Sequence, residues 1–147
     1  MNLWLVNLKD NRDNAEKIID LKFRICKALG IISVGWYDDD EKNGQTAKKL
    51  LREMKEGDYV WVIHPANGTY HLAKVIDTSI TESYNSFHDV DINLARRVNY
   101  LTSIRSELFC EGVKKLFAYR AVQMNHDVEI EDYTRQLLRE IGEQGWE

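Results

Sequence analysis

Four aromatic residues fall in polar stretches of the chain, where large rings are unusual. Trp36 and Tyr37 follow a glycine and precede an acidic stretch, and Tyr84 and Phe87 lie in the polar segment 79–89. A tryptophan in a polar loop can serve as a platform for a flat or cationic ligand. Stacking on such rings contributes roughly 1–3 kcal/mol per base. The four residues are therefore the candidate pocket for a flat ligand; the equally favoured alternative is that Trp36 only closes one end of a barrel.

Basic residues that could hold phosphates beside such a pocket are few and scattered. Lys9 follows the first predicted strand, Lys74 lies in a later strand, and Arg96 and Arg97 are adjacent. Neighbouring residues of a strand point to opposite faces, so the two arginines are expected on different sides of the sheet. Phosphate contacts position a nucleic acid while base contacts specify it. The candidate backbone contacts are Lys9, Lys74, Arg96 and Arg97.

Histidines and acidic residues offer weak metal-binding patterns. His64 and His71 flank a turn and could face each other, but a metal would need a third ligand, and Asp77 and His88 are near only in sequence. The favoured interpretation is two half-exposed strand histidines. The acidic run 38–41 lacks the alternating ligands and the glycine of a calcium loop. No metal site and no cofactor are predicted.

The cysteines and the absence of catalytic motifs favour a binding protein over an enzyme. Cys26 and Cys110 have apolar neighbours and no CxxC spacing, so both are expected to be buried thiols in a reducing compartment. No serine lies in a GxSxG turn, and no phosphate-binding loop occurs. The N-terminus does not resemble a signal peptide, and no apolar stretch approaches the ~20 residues that span a bilayer. We expect a cytoplasmic protein with no membrane partner.

Length and charge set further limits. The 147 residues, 44% hydrophobic and 30% charged, suit a single globular domain over 1–147. Lys and Arg number 20 and Asp and Glu 24, giving a net charge of −4. That balance argues against a protein that grips nucleic acid through bulk electrostatics, because neutralising phosphates requires clustered cations.

The hydrophobic pattern predicts an α+β fold in the order β-α-β-α-β-β-β-α-β-α. Asn67-Gly68 is a hairpin signal, and the regular βαβα alternation of a doubly wound sheet is absent after Tyr59. We predict a small mixed, partly closed β-barrel over about 1–125, flanking helices, and a C-terminal amphipathic helix over about 128–142. Strands are predicted at 3–6, 31–34, 59–64, 69–77, 96–101 and 119–124, and helices at 15–29, from Thr46, at 106–116 and at 128–141; Val60, Val62, Val75 and Val98 should share one core.

The order of these motifs resembles the PUA-like superfamily. Within it the chain is most similar to EVE-type domains, which are related to YTH domains and to N-terminal modules of modification-dependent restriction systems. The similarity spans residues 3 to about 124. The residues that carry it are Trp4, Gly35-Trp36, Gly57-Asp58-Tyr59-Val60, Tyr70-His71-Leu72-Ala73-Lys74-Val75 and Arg97-Val98-Asn99-Tyr100.

The resemblance implies a module that reads a modified base. YTH domains read methylated adenine in RNA, EVE domains are associated with modified cytosine in DNA, and in both an aromatic cage takes a flipped base. Trp36 matches the wall after the second strand, and Tyr84 or Phe87 the wall after the hairpin. The chain departs from the family in three respects: Tyr37 replaces a small residue, an acidic run follows it, and segment 79–89 lacks tryptophan. The implied setting is prokaryotic or phage defence or regulation, with an effector protein as partner.

Two other classes of function remain open. A hydrolase of the PUA-like ASCH type would need a lysine and a carboxylate or threonine converging at the barrel mouth, for which Lys74, Asp77 and Thr78 are the available set. A partner-binding or inhibitory protein would use the acidic run or the C-terminal helix. The net charge of −4 favours that class over an unspecific nucleic-acid binder.

Overall fold

The computed structural model describes residues 1–8, 15–34, 42–64, 68–80, 92–105 and 122–143. The predicted helix at 106–116, the start of the predicted last strand and Cys110 lie outside these ranges. The strands are β1 (Leu3–Asn7), β2 (Ile31–Val34), β3 (Tyr59–His64), β4 (Thr69–Val75), β5 (Leu94–Arg105) and β6 (Val122–Met124). The helices are α1 (Ala15–Leu29), α2 (Lys42–Glu53) and α3 (Val128–Glu140).

In the described ranges the strands form one six-stranded sheet in the order β2-β5-β4-β3-β1-β6. β1 runs parallel to β3, and the other neighbouring pairs are antiparallel. The sheet curls into a half-barrel with helices on both sides. The predicted α+β class and partly closed mixed sheet are therefore confirmed.

Alternating side chains divide mainly between two hydrophobic cores on the two sides of the sheet, and a smaller third cluster contains Cys26, Ile31, Ile92 and Ala95. On the α1/α2 side, Phe23 and Leu51 of the helices pack in one core with strand residues. On the α3 side, Ile130 and Leu138 pack in another core with Trp61. The first core contains all four predicted valines, Val60, Val62, Val75 and Val98, which confirms that prediction.

A short turn ties the beginnings of β1 and β3 together. Gly57 has φ +92°, in the left-handed region that favours glycine, and its N–H donates to the Val75 carbonyl at 2.8 Å. The buried Asp58 carboxylate accepts from the Trp4 Nε1–H at 2.9 Å, the Lys55 N–H at 2.9 Å and the Asn2 N–H at 3.1 Å. The Gly-Asp pair thus closes this end of the sheet.

Helix α3 is held to the sheet by its own buried side. Asp127 caps its first turn by accepting from the Glu129 and Ile130 N–H groups. Trp61 Nε1–H donates to Thr134 Oγ1 at 2.8 Å, and both side chains are fully buried. The predicted C-terminal helix is confirmed. Its apolar side, which was a candidate surface for binding a partner, packs against the sheet of the same chain.

Two boundaries differ from prediction by more than two residues. α2 begins at Lys42 and not at Thr46, so Asn43-Gly44, predicted as loop, lies in its first turn. The residues of that turn are polar and show no helical spacing of apolar side chains. The sequence pattern therefore predicts the start of the helix too late. β5 extends to Arg105 because it pairs along the full length of β4, with a register shift between Leu72 and Ala73. No helix in the described ranges is both long and apolar enough to cross a bilayer.

Candidate functional site

The two segments that contain the candidate aromatic residues leave the sheet at the same end. Val34 closes β2 opposite Leu94, which opens β5. Val75, the last residue of β4, pairs with Val98, which also lies near the beginning of β5. We call this end, which carries Val34 before segment 35–41 and Asn93 after segment 81–91, the Val34 end.

One hydrogen bond joins the roots of the two segments. The Asn93 N–H donates to the Val34 carbonyl at 3.0 Å. Trp36 and Tyr37 come directly after Gly35, which follows Val34, and Asn93 follows the segment that holds Tyr84 and Phe87. The four aromatic residues themselves lie outside the described residues. The structure therefore brings their attachment points together, and the pocket between them stays a prediction.

Arg96 does not lie on a rim. It shares the α1/α2 side with Leu94 and Val98, and its side chain is 0% exposed. Its Nε–H donates to Asp77 Oδ1 at 2.7 Å, and Nη1 donates to the Leu51 carbonyl at 2.9 Å and to the Met54 carbonyl. A buried charge is tolerated only when it is paired and hydrogen-bonded, as here. The expectation that Arg96 contacts a nucleic-acid backbone is wrong, because its donors serve the fold.

Arg97 has the opposite environment, as the alternation along a strand requires. Its side chain is exposed, while its backbone N–H donates to Asp77 Oδ2 at 2.8 Å. The two arginines thus point to opposite sides of the sheet, which confirms the sequence prediction on that point. Arg97 is therefore still a candidate phosphate contact. Lys9, which the sequence also indicates as a phosphate contact, lies outside the described residues.

Lys74 is engaged on the α3 side. Its ammonium donates to Glu143 Oε1 at 2.9 Å and lies 5.6 Å from the centroid of the Tyr59 ring. The hydrogen bond to Glu143 raises the pKa of Lys74. Asp77, by contrast, is engaged with Arg96 on the other side. Lys74 and Asp77 therefore do not converge, and the predicted ASCH-type set with Thr78 is not assembled.

An open cavity of about 730 Å³ is lined by residues of β1, β6, the C-terminal end of α2 and the connection that follows it. Trp4 and Met124 contribute apolar surface, and Thr78 contributes polar surface just after β4. Asn2, Arg52, Glu53, Met54, Lys55 and Glu56 complete the lining. Basic and acidic side chains alternate along this rim, so their charges balance. This cavity was not predicted from the sequence, where most of its lining forms the mixed-charge run that leads into Gly57-Asp58.

The two strand histidines are buried, which corrects the expectation that they are half-exposed. His64 and His71 are 1% and 5% exposed and lie on the α1/α2 side, where the Phe23 ring centroid is 5.3 Å and 4.1 Å from theirs. His64 Nε2 is 3.2 Å from Asp20 Oδ1. Burial, with Lys27 nearby, lowers the pKa of His71 to about 4. Among the described residues, no three His, Cys, Asp or Glu side chains group as metal ligands.

Cys26 is a buried thiol, as predicted. Its Sγ lies 3.2 Å from Ser33 Oγ, and its side chain is 0% exposed. Burial raises the pKa of the Cys26 thiol, which keeps it protonated and unreactive at neutral pH.

Comparison with known proteins identifies the fold through structure and not through sequence. No protein-family model matches the chain, and no curated protein matches it significantly. The YTH domain of the Zygosaccharomyces rouxii MRB1 protein, solved in complex with N6-methyladenosine RNA, superposes with a TM-score of 0.57 at 12% identity, over 99% of this chain and 90% of that one. The half-barrel is therefore a YTH-like fold.

Two bacterial proteins of solved structure also match. One from Agrobacterium tumefaciens has a TM-score of 0.49 at 16% identity, over 97% of this chain and 94% of that one. One from Rhodopseudomonas palustris, solved by NMR, has a TM-score of 0.47 at 12% identity, over 97% of this chain and 93% of that one.

Proposed function

We propose that this chain binds nucleic acid and reads a modified base flipped into an aromatic pocket at the Val34 end. The observation that carries the proposal is the hydrogen bond from the Asn93 N–H to the Val34 carbonyl. It holds together the roots of the two segments that contain the candidate rings. Two segments that leave the same end of a sheet side by side can enclose a flat ligand between them.

Trp36 and Tyr37 form one wall of the proposed pocket, and Tyr84 or Phe87 forms the other. A protein that inspects a small group on a base must take the base out of its stack and enclose it. Aromatic faces supply stacking that is independent of base sequence. The shape of the space between the rings then determines which modification fits.

Arg97 and Lys9 are the proposed phosphate contacts. Arg97 is exposed on β5, beyond the buried Arg96. Arg96 and Lys74 are left out because Asp77 and Glu143 hold their charges. Two cations are a small electrostatic contribution, so most of the affinity comes from enclosing the base. Such a module acts as a sensor, and an effector protein in a defence or regulatory system would use its output.

Methylated adenine in RNA is the first ligand to test, because the matched YTH domain was solved with N6-methyladenosine RNA. Modified cytosine in DNA is the second, from the resemblance to EVE-type domains. The purified protein is titrated with short oligonucleotides that carry one modified base, each beside an unmodified oligonucleotide of identical sequence, both single- and double-stranded.

Variants separate the pocket from the rest of the surface. Trp36→Ala and Phe87→Ala should each reduce affinity for the preferred oligonucleotide at least about tenfold, since each removes a stacking face. Tyr133→Ala is the matched control, because it removes a ring that packs on the α3 side. Equal binding by the Trp36 variant and the wild type would refute the proposed pocket.

A further inference from the structure

On the α3 side of the sheet, β4 and β5 carry a patch of side chains that reach solvent. Val75 and Val98 pack in the core on the α1/α2 side, so the residues before and after each of them point to the α3 side. Ile76 is 47% exposed, Arg97 and Asn99 are exposed, and Lys74 is partly exposed. We call Lys74, Ile76, Arg97 and Asn99 the β4–β5 patch.

Strand pairing fixes the spacing of the two cations in this patch. Lys74 lies opposite Asn99, and the Ile76 N–H donates to the Arg97 carbonyl at 3.0 Å. Lys74 and Arg97 are therefore diagonal neighbours on adjacent strands, roughly 7–8 Å apart. Two flexible cationic side chains at this spacing on one sheet surface can contact neighbouring phosphates of a single strand of nucleic acid.

A carboxylate of the chain itself already contacts the patch. Glu143 Oε1 accepts from the Lys74 ammonium at 2.9 Å and from the Tyr59 hydroxyl at 3.4 Å. Phosphate oxygens and carboxylate oxygens accept the same charge-assisted hydrogen bonds from ammonium groups. Glu143 therefore takes a position that a phosphate oxygen could take, and it holds the charge of Lys74.

The end of α3 places this carboxylate, but the ion pair itself is weak. Gly142 has φ +78°, and the Glu143 N–H donates to the Leu138 carbonyl at 2.9 Å, which fixes the backbone after the helix. The side chains of Lys74 and Glu143 are 28% and 24% exposed. Partly exposed ion pairs contribute little to stability. An anionic ligand can therefore replace Glu143 without disturbing the fold.

We propose that the β4–β5 patch binds phosphate groups of a nucleic-acid backbone, and that Glu143 competes with them for Lys74. With Glu143 in place, Arg97 is the cation that the patch offers to a ligand. Neutralising Glu143 adds Lys74 as a further phosphate contact. The inference rests on the proposed function, because it names the surface on which the backbone of the bound strand lies.

The experiment compares two variants of the ion pair with one matched control. Glu143→Gln removes the competing charge and keeps the size of the side chain and the backbone hydrogen bond to Leu138. The double variant Glu143→Gln with Lys74→Gln also removes the cation. Glu140→Gln is the control, because it makes the same change of net charge at an exposed position of α3.

The first readout is the affinity for one unmodified DNA duplex over a range of salt concentrations, which does not require a modified base. Compared with Glu140→Gln, Glu143→Gln should bind about three- to tenfold more tightly at about 0.1 M salt, and its slope of log affinity against log salt should be steeper by about 0.9. The double variant should return both quantities to the wild-type values. Equal affinity and equal slope for the Glu143 and Glu140 variants overturn the inference.

A second readout separates failure of the inference from failure of the proposed function. If no modified or unmodified oligonucleotide binds, the proposed function fails. An NMR titration with inorganic pyrophosphate then tests the patch directly, through the amide signals of Ile76, Arg97 and Asn99. These signals should shift at a pyrophosphate concentration at least about threefold lower in Glu143→Gln than in Glu140→Gln. Absent shifts, or equal shifts in the two variants, would show that Glu143 does not compete with phosphate at this patch.

Discussion

The indole of Trp4 donates to the carboxylate of Asp58 at 2.9 Å, across the start of the sheet. The two residues belong to segments far apart in the sequence, and both side chains are buried. Asp58 also accepts from the backbone N–H groups of Asn2 and Lys55. This carboxylate is therefore the point where β1, the connection after α2 and β3 meet, and its partners Trp4 and Lys55 line the open cavity.

Replacing Asp58 should destabilise the fold strongly. Asp58→Ala leaves the Trp4 indole N–H and two backbone N–H groups without their acceptor, and each unsatisfied buried donor costs about 1–3 kcal/mol. Water entering the vacated space offsets part of this, so a loss of about 3 kcal/mol in the free energy of unfolding is expected. Urea denaturation followed by tryptophan fluorescence measures it. Asp132→Ala, at an exposed position on α3, is the control and should change stability by less than about 0.5 kcal/mol.

His71 should make the fold sensitive to mild acid. Its folded-state pKa of about 4 lies below the ordinary value of 6.5, so the unfolded chain binds a proton that the native state does not. The contribution of His71 to the free energy of unfolding is fully present above pH 6.5. It is lost as the pH falls toward 4, by about 1.4 kcal/mol per pH unit at most. Urea midpoints between pH 7 and 4 test this. His71→Gln should flatten the dependence, and the exposed His126→Gln should not; identical pH profiles for the His71 variant and the wild type would contradict it.

The hydroxyl of Thr134 should contribute to the docking of α3. Thr134→Val keeps the shape of the side chain and leaves the buried Trp61 indole N–H without an acceptor. The expected loss is about 1–3 kcal/mol of unfolding free energy. Thr134→Ser retains the hydroxyl and should lose less than the valine variant. Thermal unfolding of the three proteins tests this order, and a valine variant as stable as the wild type would show that the hydrogen bond contributes nothing.

Salt should weaken ligand binding only slightly. With Arg97 and Lys9 as the phosphate contacts, the slope of log affinity against log salt on duplex DNA should be about −2, because each neutralised phosphate contributes about 0.9. Arg97→Ala should weaken binding and bring the slope near −1. Trp36→Ala should weaken binding at least about tenfold at every salt concentration, because stacking does not depend on phosphate contacts. A slope near −8, with Trp36→Ala binding like the wild type, would indicate a protein that grips the backbone instead.

Local patterns in the sequence predicted most of the elements and much of the packing. Period-two alternation in Tyr59–His64 places Val60 and Val62 on one side and Trp61 on the other, as found. Gly30, at φ +67°, ends α1 where the sequence predicted. These features depend on residues close in the chain, and the backbone geometry of a strand or a helix end follows from them directly.

The tertiary structure decided which polar residues are available to a ligand. Arg96 and Arg97 are adjacent and chemically identical, yet Asp77 and the end of α2 bury the first and leave the second exposed. His64 and His71 look like surface residues of a hairpin until Phe23 of α1 covers them. In each case the partner comes from a distant part of the chain. Because the free energy of a charge or a ring nitrogen depends on what surrounds it, only the folded arrangement determines whether that group serves the fold or faces a ligand.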